Sequence, residues 1–255
     1  MSEEHSIQVN FGKAMPLFPL EQAVLLPQQV IPLFIFEPRY RQMIEHALDG
    51  AGQVALAVYA ARGKGAKGAS AALRPAVCVA QIAQHEKLPD GCYNLLVQGV
   101  CRARIIRETP PEPGRLYRTA FLEPVGVGLP SADDLHDADA DEAESINLVD
   151  DHNPTLDAAR SRIRELLDES PLSEMKHAGA VLEYVRNDEL PTSAVMELVS
   201  FTLISDPALR YALLAEPHAE SRAGIILTEL QHLSELLRKA PKQHPEEWPK
   251  GCSWN

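Results

Sequence analysis

The sequence predicts an α+β fold in which a β-rich first half is followed by a helical second half. Residues 54–108 contain four short runs of β-branched and aliphatic residues, a composition typical of strands. Residues 155–240 instead carry apolar side chains at helical spacing. Between these halves, residues 131–151 hold nine acidic residues and neither lysine nor arginine. This change of composition predicts an acidic linker or loop, which we place at residues 126–154.

The first element is an apolar stretch, PLFPLEQAVLLPQQVIPLFIFEPRY, that prolines interrupt five times. These are Pro16, Pro19, Pro27, Pro32 and Pro38. The first two fit the edges of a short strand, where a missing N–H does least harm, and the third fits a bend. The last fits the first turn of a helix. Pro32 lies inside the run VIPLFIF, so we expect an edge strand or a bulge there.

A helix and four strand-like runs follow. The helix begins near Pro38, has Gly50 as a plausible C-cap, and carries an apolar stripe. The stripe consists of Tyr40, Met43, Ile44, Ala47 and Leu48. The strand-like runs are residues 54–60, 76–83, 92–100 and 101–108. The dipeptide Asp90-Gly91 between the second and third runs predicts a hairpin with a type I′ turn.

The helical half has one clear start signal and one long terminal helix. Asp206 fits an N-cap and Pro207 the first helical position. The last helix, residues 218–240, places apolar residues at alternating three- and four-residue steps. They are Ala223, Ile226, Leu230, Leu233, Leu237 and Ala240. Such a seam serves either packing within its own lobe or weak homo-oligomerisation. Residues 241–255 read as a flexible tail.

The charge of the chain is divided unevenly between its halves. The net charge is −12. Residues 1–125 hold 13 lysines and arginines against 11 acids, whereas residues 126–255 hold 11 against 25. The acidic second half repels phosphate backbones, so the chain as a whole is not expected to bind nucleic acid.

The N-terminal sequence and the cysteine usage predict a cytoplasmic protein with reduced thiols. The first ten residues carry acids where a signal peptide has a basic region followed by an apolar run. No apolar run approaches the roughly 20 residues that span a membrane, so no membrane association is expected. The four cysteines, Cys78, Cys92, Cys101 and Cys252, form no CxxC pair. We therefore expect neither a metal site nor a disulfide.

No motif in the sequence points to catalysis or to a cofactor. The segment GKGAKGAS resembles a phosphate-binding loop, but its second glycine is followed by alanine where the motif needs lysine. The chain contains neither HExxH nor GxSxG. We assign no catalytic residue, no cofactor and no metal ligand, and expect a protein that is not an enzyme.

One strand carries arginines that could bind an anionic partner. Arg102 and Arg104 alternate with apolar residues and therefore share one strand face, and Arg107 lies close by. Such a stripe either contacts RNA or acidic peptides, or only solubilises an exposed strand. No aromatic stacking platform accompanies the arginines, which favours the second interpretation.

Two long motifs resemble a known family. The stretch PLFPLEQAVLLPQQVIPLFIFEPRYRQMIEHAL resembles the opening of the amino-terminal, substrate-recognition domain of the ATP-dependent Lon proteases. That domain begins with a P-L-x-P-L strand, a proline-containing bend, an x-I-P-L strand and a helix. The stretch VAQIAQHEKLPDGCYNLLVQGVCRARI is similar to the family's hairpin, with its L-P-D-G turn and G-x-x-R-x-R-I strand. A weaker similarity, to the family's helical lobe, covers ELVSFTLISDPALRYALLAEPHAESRAGIILTEL.

The resemblance implies a fold and a function. It implies a PUA-like pseudo-barrel at residues 14–125, followed by an α-helical lobe at residues 155–240. Full Lon proteases continue into an ATPase module and a Ser–Lys peptidase module, and this chain contains neither. The resemblance thus implies a stand-alone, non-catalytic recognition module with a role in protein quality control or proteolysis. Its expected partners are unfolded or flexible protein segments, or one specific protein.

We expect binding on apolar surface between the barrel and the helical lobe. The candidate contact residues are Phe34, Phe36, Tyr40, Leu88 and Tyr93, each weighed against simple core packing. Arg102 and Arg104 are candidate polar contacts. The alternative function is RNA binding through the barrel and its arginine-bearing strand.

Overall fold

A computed structural model describes the chain at residues 7–21, 23–60, 71–110, 112–126, 153–169 and 171–239. The first half contains β1 (Met15–Leu20), β2 (Val30–Ile35), α1 (Pro38–Leu48), β3 (Gln53–Val58), β4 (Ala76–Lys87), β5 (Tyr93–Thr109) and β6 (Thr119–Pro124). The second contains α2 (Pro154–Glu169), a 3₁₀ turn (Pro171–Glu174), α3 (Ala178–Arg186), α4 (Thr192–Leu203), α5 (Pro207–Ala215) and α6 (Ala219–Lys239). The predicted α+β order is confirmed.

Three segments considered above cannot be compared with the structure. The tail at residues 241–255 and the GKGAKGAS segment, residues 63–70, lie outside the described residues. So does the acidic segment, except for Gly126, Asn153 and Pro154.

Five strands close into a barrel, and the sixth lies outside it. The sheet order is β2-β5-β4-β3-β1-β6, and β5 also pairs with β6. The long strand β5 makes this closure possible, because its first half pairs with β2 and its second half with β6. Among the described strands, β1 and β3 are the one parallel pair. The pseudo-barrel implied by the resemblance is therefore confirmed.

Small side chains fill the interior of the barrel. Its core consists of Met15, Leu17, Ala55, Ala57, Val77, Val79, Ala103, Ala120 and Leu122. Alanines alternate with larger aliphatic residues, which lets a barrel of only five strands close around a filled interior.

A second and larger core joins the outside of the barrel to α1 and the helical half. It includes Leu26 and Val97 from the barrel side, and Ile163, Leu213 and Ile226 from the helices. The helix α5 packs directly on β4 and β5. One continuous apolar cluster thus holds the helical half against the sheet.

The prolines of the opening stretch are accommodated locally. Strand β2 ends the sheet order, so the predicted edge position of Pro32 is confirmed. Pro38 is the first residue of α1, and Pro27 lies in a turn, both as predicted. Pro16 and Pro19 lie inside β1, yet β6 pairs with Met15 and Pro16 while β3 pairs with residues 17–20. Pro16 pairs with β6 alone and Pro19 with β3 alone, which leaves each proline nitrogen a free direction.

The β4–β5 hairpin forms, but its predicted turn type is wrong. The Gly91 N–H donates to the Leu88 carbonyl at 2.9 Å, which places Pro89 and Asp90 at the centre of the turn. A type I′ turn needs positive φ at both central residues, and among the described non-glycine residues only Gln28 and His177 have it. Gly91 instead follows the turn with φ +80°. Pro89 favours this arrangement because its ring fixes a negative φ.

The first half of the apolar seam of α6 packs within the helical half of the protein. Ala223, Ile226 and Leu230 are buried, whereas Leu237 is exposed. Ala240 lies outside the described residues. Self-association through the end of this helix stays a prediction. Among the described residues, no helix combines the length and apolarity needed to cross a bilayer.

Candidate functional site

Exposed apolar side chains lie along one face of the edge strand β2. Phe34 in β2 and Phe36, just after its end, are 56% and 61% exposed, and their stacked rings lie 6.1 Å apart between centroids. Val30 and Pro32 are exposed on the same strand. We call these four residues the edge stripe: Val30, Pro32, Phe34 and Phe36.

The alternation of a strand creates this stripe. Successive side chains point to opposite faces, so Ile31, Leu33 and Ile35 turn toward the core. Ile35 is buried, and the other two are half-buried. The face that the core does not use therefore presents aromatic and aliphatic side chains to solvent.

The sheet register sets two rows of side chains beside the stripe. Phe34 pairs with Asn94 on β5, which pairs with Glu86 on β4. In the next row, Pro32 pairs with Leu96, which pairs with Gln84. Directly opposed residues share a face, so both rows lie on the same side of the sheet.

These two rows line an open groove of about 440 Å³. Pro32 and Phe34 form an apolar side on β2, Gln84 and Glu86 form a polar rim on β4, and Asn94 and Leu96 lie between them on β5. The register of β4 and β5 shifts between Ile82 and Gln84, just before the groove. A bulge of this kind bends a strand, which suits a concave surface. We expected such a surface between barrel and helical lobe, but the lining residues all belong to β2, β4 and β5.

Among the residues that line the groove, Glu86 carries a negative charge. Its carboxylate accepts a hydrogen bond from the neutral amide of Asn94, at 3.1 Å between Asn94 Nδ2 and Glu86 Oε2. Among the described residues, no lysine, arginine or histidine nitrogen forms an ion pair with it. The adjacent Lys87 pairs instead with Glu45 at 2.8 Å.

Three of the five predicted apolar contacts lie elsewhere. Tyr40 is buried, its ring centroid 4.7 Å from that of Phe18, and burial raises its pKa well above the usual value. Tyr93 is buried and donates its hydroxyl to Glu45 Oε1 at 3.1 Å. The structure corrects both assignments, because neither ring is free to contact a peptide. Leu88 is half-buried at the hairpin turn.

The arginine-bearing strand does not present a basic face. Arg102 is only 6% exposed and donates from Nη1 and Nη2 to the two carboxylate oxygens of Glu197, at 2.7 and 2.9 Å. Its Nε donates to the Leu213 carbonyl at 3.0 Å. Arg104 is exposed, but its Nε lies 2.8 Å from Glu123 Oε1. The predicted contact role of Arg102 is therefore corrected: its guanidinium is structural.

A third charged residue joins this buried pair. Arg222 Nε lies 3.6 Å from Glu197 Oε1, and Arg222 Nη1 donates to the Glu216 and Pro217 carbonyls. Burial, and then the positive charge of Arg102, lower the pKa of Arg222 to about 10. Sequence reasoning missed this cluster. The signal that could have found it is Glu197 itself, the single charged residue in the otherwise apolar or hydroxylic helix α4.

No metal site accompanies these features in the part of the chain that the structure describes, where no three His, Cys, Asp or Glu side chains converge. Cys78 and Cys92 are buried, Cys101 is half-buried, and all three are free thiols.

The model of one protein family matches most of the chain. It is the ATP-dependent protease La (LON) substrate-binding domain, and the match covers residues 14–232. This chain belongs to that family. The stripe and the groove thus lie within a Lon substrate-binding domain.

Known proteins similar to this domain are Lon proteases. The chain is 27% identical to the Lon protease of Azorhizobium caulinodans over 140 residues, which are 55% of this chain and 15% of that protein. It is 35% identical to the Lon protease of Escherichia coli K12 over 91 residues, 36% of this chain and 12% of that protein. The matched region thus spans 15% or less of these relatives.

Two solved structures share the fold. One is the N-terminal domain of the Mycobacterium avium complex Lon protease, with a TM-score of 0.59, 18% identity, and coverage of 86% of this chain and 98% of that one. The other is a Lon N-terminal domain protein from Xanthomonas campestris, with a TM-score of 0.53, 18% identity, and coverage of 85% and 98%. At this identity the likeness shows the fold alone.

Proposed function

We propose that this chain is a non-catalytic protein-recognition module that binds flexible, apolar polypeptide segments on the edge stripe and the adjoining groove. The observation that carries the proposal is the pair of exposed, stacked rings of Phe34 and Phe36 beside an open groove. The membership of the chain in a substrate-binding domain family supports a protein ligand.

The stripe offers binding energy that the folded chain does not use. Burying a phenylalanine side chain contributes about 1.5–3 kcal/mol. Two adjacent half-exposed rings therefore favour a ligand that covers both. From Val30 to Phe36 the strand rises about 20 Å, the length of a six-residue extended segment. A flexible segment can contact the edge stripe along its whole length, whereas the fixed surface of a folded domain contacts only some of its side chains.

The face of β2, rather than its free edge, is the better contact surface. The Gly99 N–H donates to the Gln29 carbonyl, and the Gln28 N–H donates to the Gly99 carbonyl. Backbone pairing alternates along an antiparallel ladder, so Val30, Pro32 and Phe34 turn their backbone groups to the free edge. Pro32 has no N–H to offer there, which discourages the addition of a further strand. Side-chain contacts on the face are not restricted in this way.

The proposed role involves no catalysis. The matched family model is that of a substrate-binding domain, and it accounts for residues 14–232. A link to protein quality control or proteolysis follows from the kinship with Lon proteases and belongs to the same proposal. We do not take RNA as a second candidate ligand, because Arg102 is buried against Glu197, Arg104 is paired with Glu123 and Arg107 lies over the Phe121 ring.

Binding to an unfolded protein tests the proposal. Fluorescence anisotropy would compare a labelled, permanently unfolded protein with its folded form, using wild type and the Phe34→Ser/Phe36→Ser double variant. We expect binding of the unfolded form only, and a loss of affinity of about tenfold or more in the variant. The matched control is Ile106→Ser, which removes an equally exposed apolar side chain from another strand, β5. Absence of binding, or an equal loss in the control, contradicts the proposal. Incubation of the unfolded protein with the chain and ATP should leave it intact.

A further inference from the structure

We propose that the groove selects segments in which a lysine or arginine follows the anchoring apolar residue by two positions, and that Glu86 binds this cation. The inference rests on the proposed function and names the chemistry of its ligand. It is carried by the position of Glu86 in the same side-chain row as Phe34, and by the charge that this carboxylate leaves unpaired.

The spacing follows from the sheet. Phe34, Asn94 and Glu86 lie in one row across three strands. Neighbouring strands are about 4.8 Å apart, so Phe34 and Glu86 are separated by about 10 Å. Where an extended segment turns from the edge stripe into the groove and crosses the strands, its residues i and i+2 point to the same side and lie about 7 Å apart. An apolar side chain over Phe34 thus brings the side chain two positions later within reach of the Glu86 carboxylate.

The electrostatics favour a cation at this rim. Glu86 is exposed, and within the described part of the chain it forms no ion pair. Its hydrogen bond to Asn94 fixes the carboxylate without neutralising it. The remaining lining residues are Pro32, Leu33, Phe34, Gln84, His85, Asn94, Leu95 and Leu96, none of them acidic. The net charge of −12 adds a weaker, long-range attraction for basic segments.

An anionic segment is disfavoured by the same geometry. A glutamate at the second position would place like charges side by side, and the groove holds no lysine or arginine to relieve them. Exposed ion pairs contribute modestly, so we expect the lysine peptide to bind about threefold more tightly than a glutamine peptide. The glutamate peptide should bind more weakly still.

The test uses three labelled peptides with the same apolar anchor and lysine, glutamine or glutamate two positions later. Anisotropy titrations of the full chain should give the order lysine, glutamine, glutamate. Glu86→Gln should abolish the preference while retaining binding of the glutamine peptide, and Glu86→Lys should reverse the order. The matched control is Glu183→Gln on α3, an exposed carboxylate in the helical half, which should change nothing. Thermal melts would verify that each variant folds.

The outcomes separate this inference from the proposed function. Equal affinity for all three peptides, or a preference that persists in Glu86→Gln, overturns the inference and leaves the proposed function standing. Absence of binding by every peptide and by the unfolded protein overturns both. If light scattering shows a wild-type dimer that Phe34→Ser dissociates, the stripe is covered by a second copy of the chain and both fail as well.

Discussion

Arg102 on β5 and Glu197 on α4 form a buried, bidentate ion pair that joins the barrel to the helical half. The side chains are 6% and 9% exposed. A second polar contact runs parallel to it: the Ala76 N–H at the start of β4 donates to the Tyr211 hydroxyl oxygen of α5 at 2.8 Å. Buried polar contacts have demanding geometry, so these bonds fix how the helices sit on the sheet.

Removing one partner of the ion pair should destabilise the fold strongly. Glu197→Gln keeps the side-chain volume but leaves Arg102 and Arg222 without their counter-charge. We expect the free energy of unfolding in urea to fall by about 3 kcal/mol or more. The control is Arg104→Met, which breaks the exposed pair with Glu123 and should cost less than about 1 kcal/mol. Equal effects of the two substitutions would show that the buried pair has no special role.

Gly99 should tolerate no side chain. A Cβ atom at this position would overlap the Leu26 carbonyl and lie 3.1 Å from Cys78 Sγ. Gly99→Ala should therefore lower the free energy of unfolding by about 3 kcal/mol. Gly224→Ala on α6 is the matched control, since nothing lies within 4 Å of its Cβ, and it should stabilise the helix by about 0.5–1 kcal/mol. A neutral Gly99→Ala would mean that β5 and the Leu26 turn are not packed as described.

The thiols should react slowly in the folded protein. Burial raises the pKa of Cys101 to about 11 and raises that of Cys78 further. With a pKa of about 11, about one thiol in a thousand is ionised at pH 8, and the thiolate is the reactive form. Site-resolved mass spectrometry should show alkylation of Cys101 accelerating about tenfold per pH unit up to pH 11. The same reagent in denaturant provides the reference rate. A folded-state rate at pH 8 equal to that reference would contradict the burial of this thiol.

The sequence predicted those features that local chemistry determines. Pro38 and Asp206 set helix starts where expected, since each acts on its own first turn. The proline inside VIPLFIF predicted an edge strand or a bulge, and the strand does lie at the edge of the sheet. Which side chains of the run are exposed could not be predicted, because it is apolar throughout, and Tyr40 and Tyr93 could not be told from Phe34 and Phe36. Aromatic rings look alike in sequence, and only the packing of α1 and β5 against the core separates them.

Features that depend on distant residues could not be predicted. The burial of Arg102 depends on Glu197, 95 residues further along the chain, and no local pattern connects the two. The groove likewise depends on the register of three strands and on a shift after Ile82. The runs at residues 92–100 and 101–108 form a single strand, because β4 pairs with β5 from Tyr93 to Arg104, across the junction of the two runs.

Pro32 should keep the edge of β2 from pairing with another chain. It occupies the central one of the three positions whose backbone groups face the free edge, flanked by Val30 and Phe34. Pro32→Val keeps an apolar residue but restores an N–H donor, so the exposed edge gains an uninterrupted row of backbone donors and acceptors. We expect the variant to self-associate, with a light-scattering mass that rises with concentration above that of wild type. Pro38→Ala, which removes a proline from the start of α1 and leaves the edge unchanged, is the control. A Pro32→Val variant with the wild-type mass at every concentration would show that the proline is not what protects this edge. In that case the free edge of β2 would be as open to a ligand as its face.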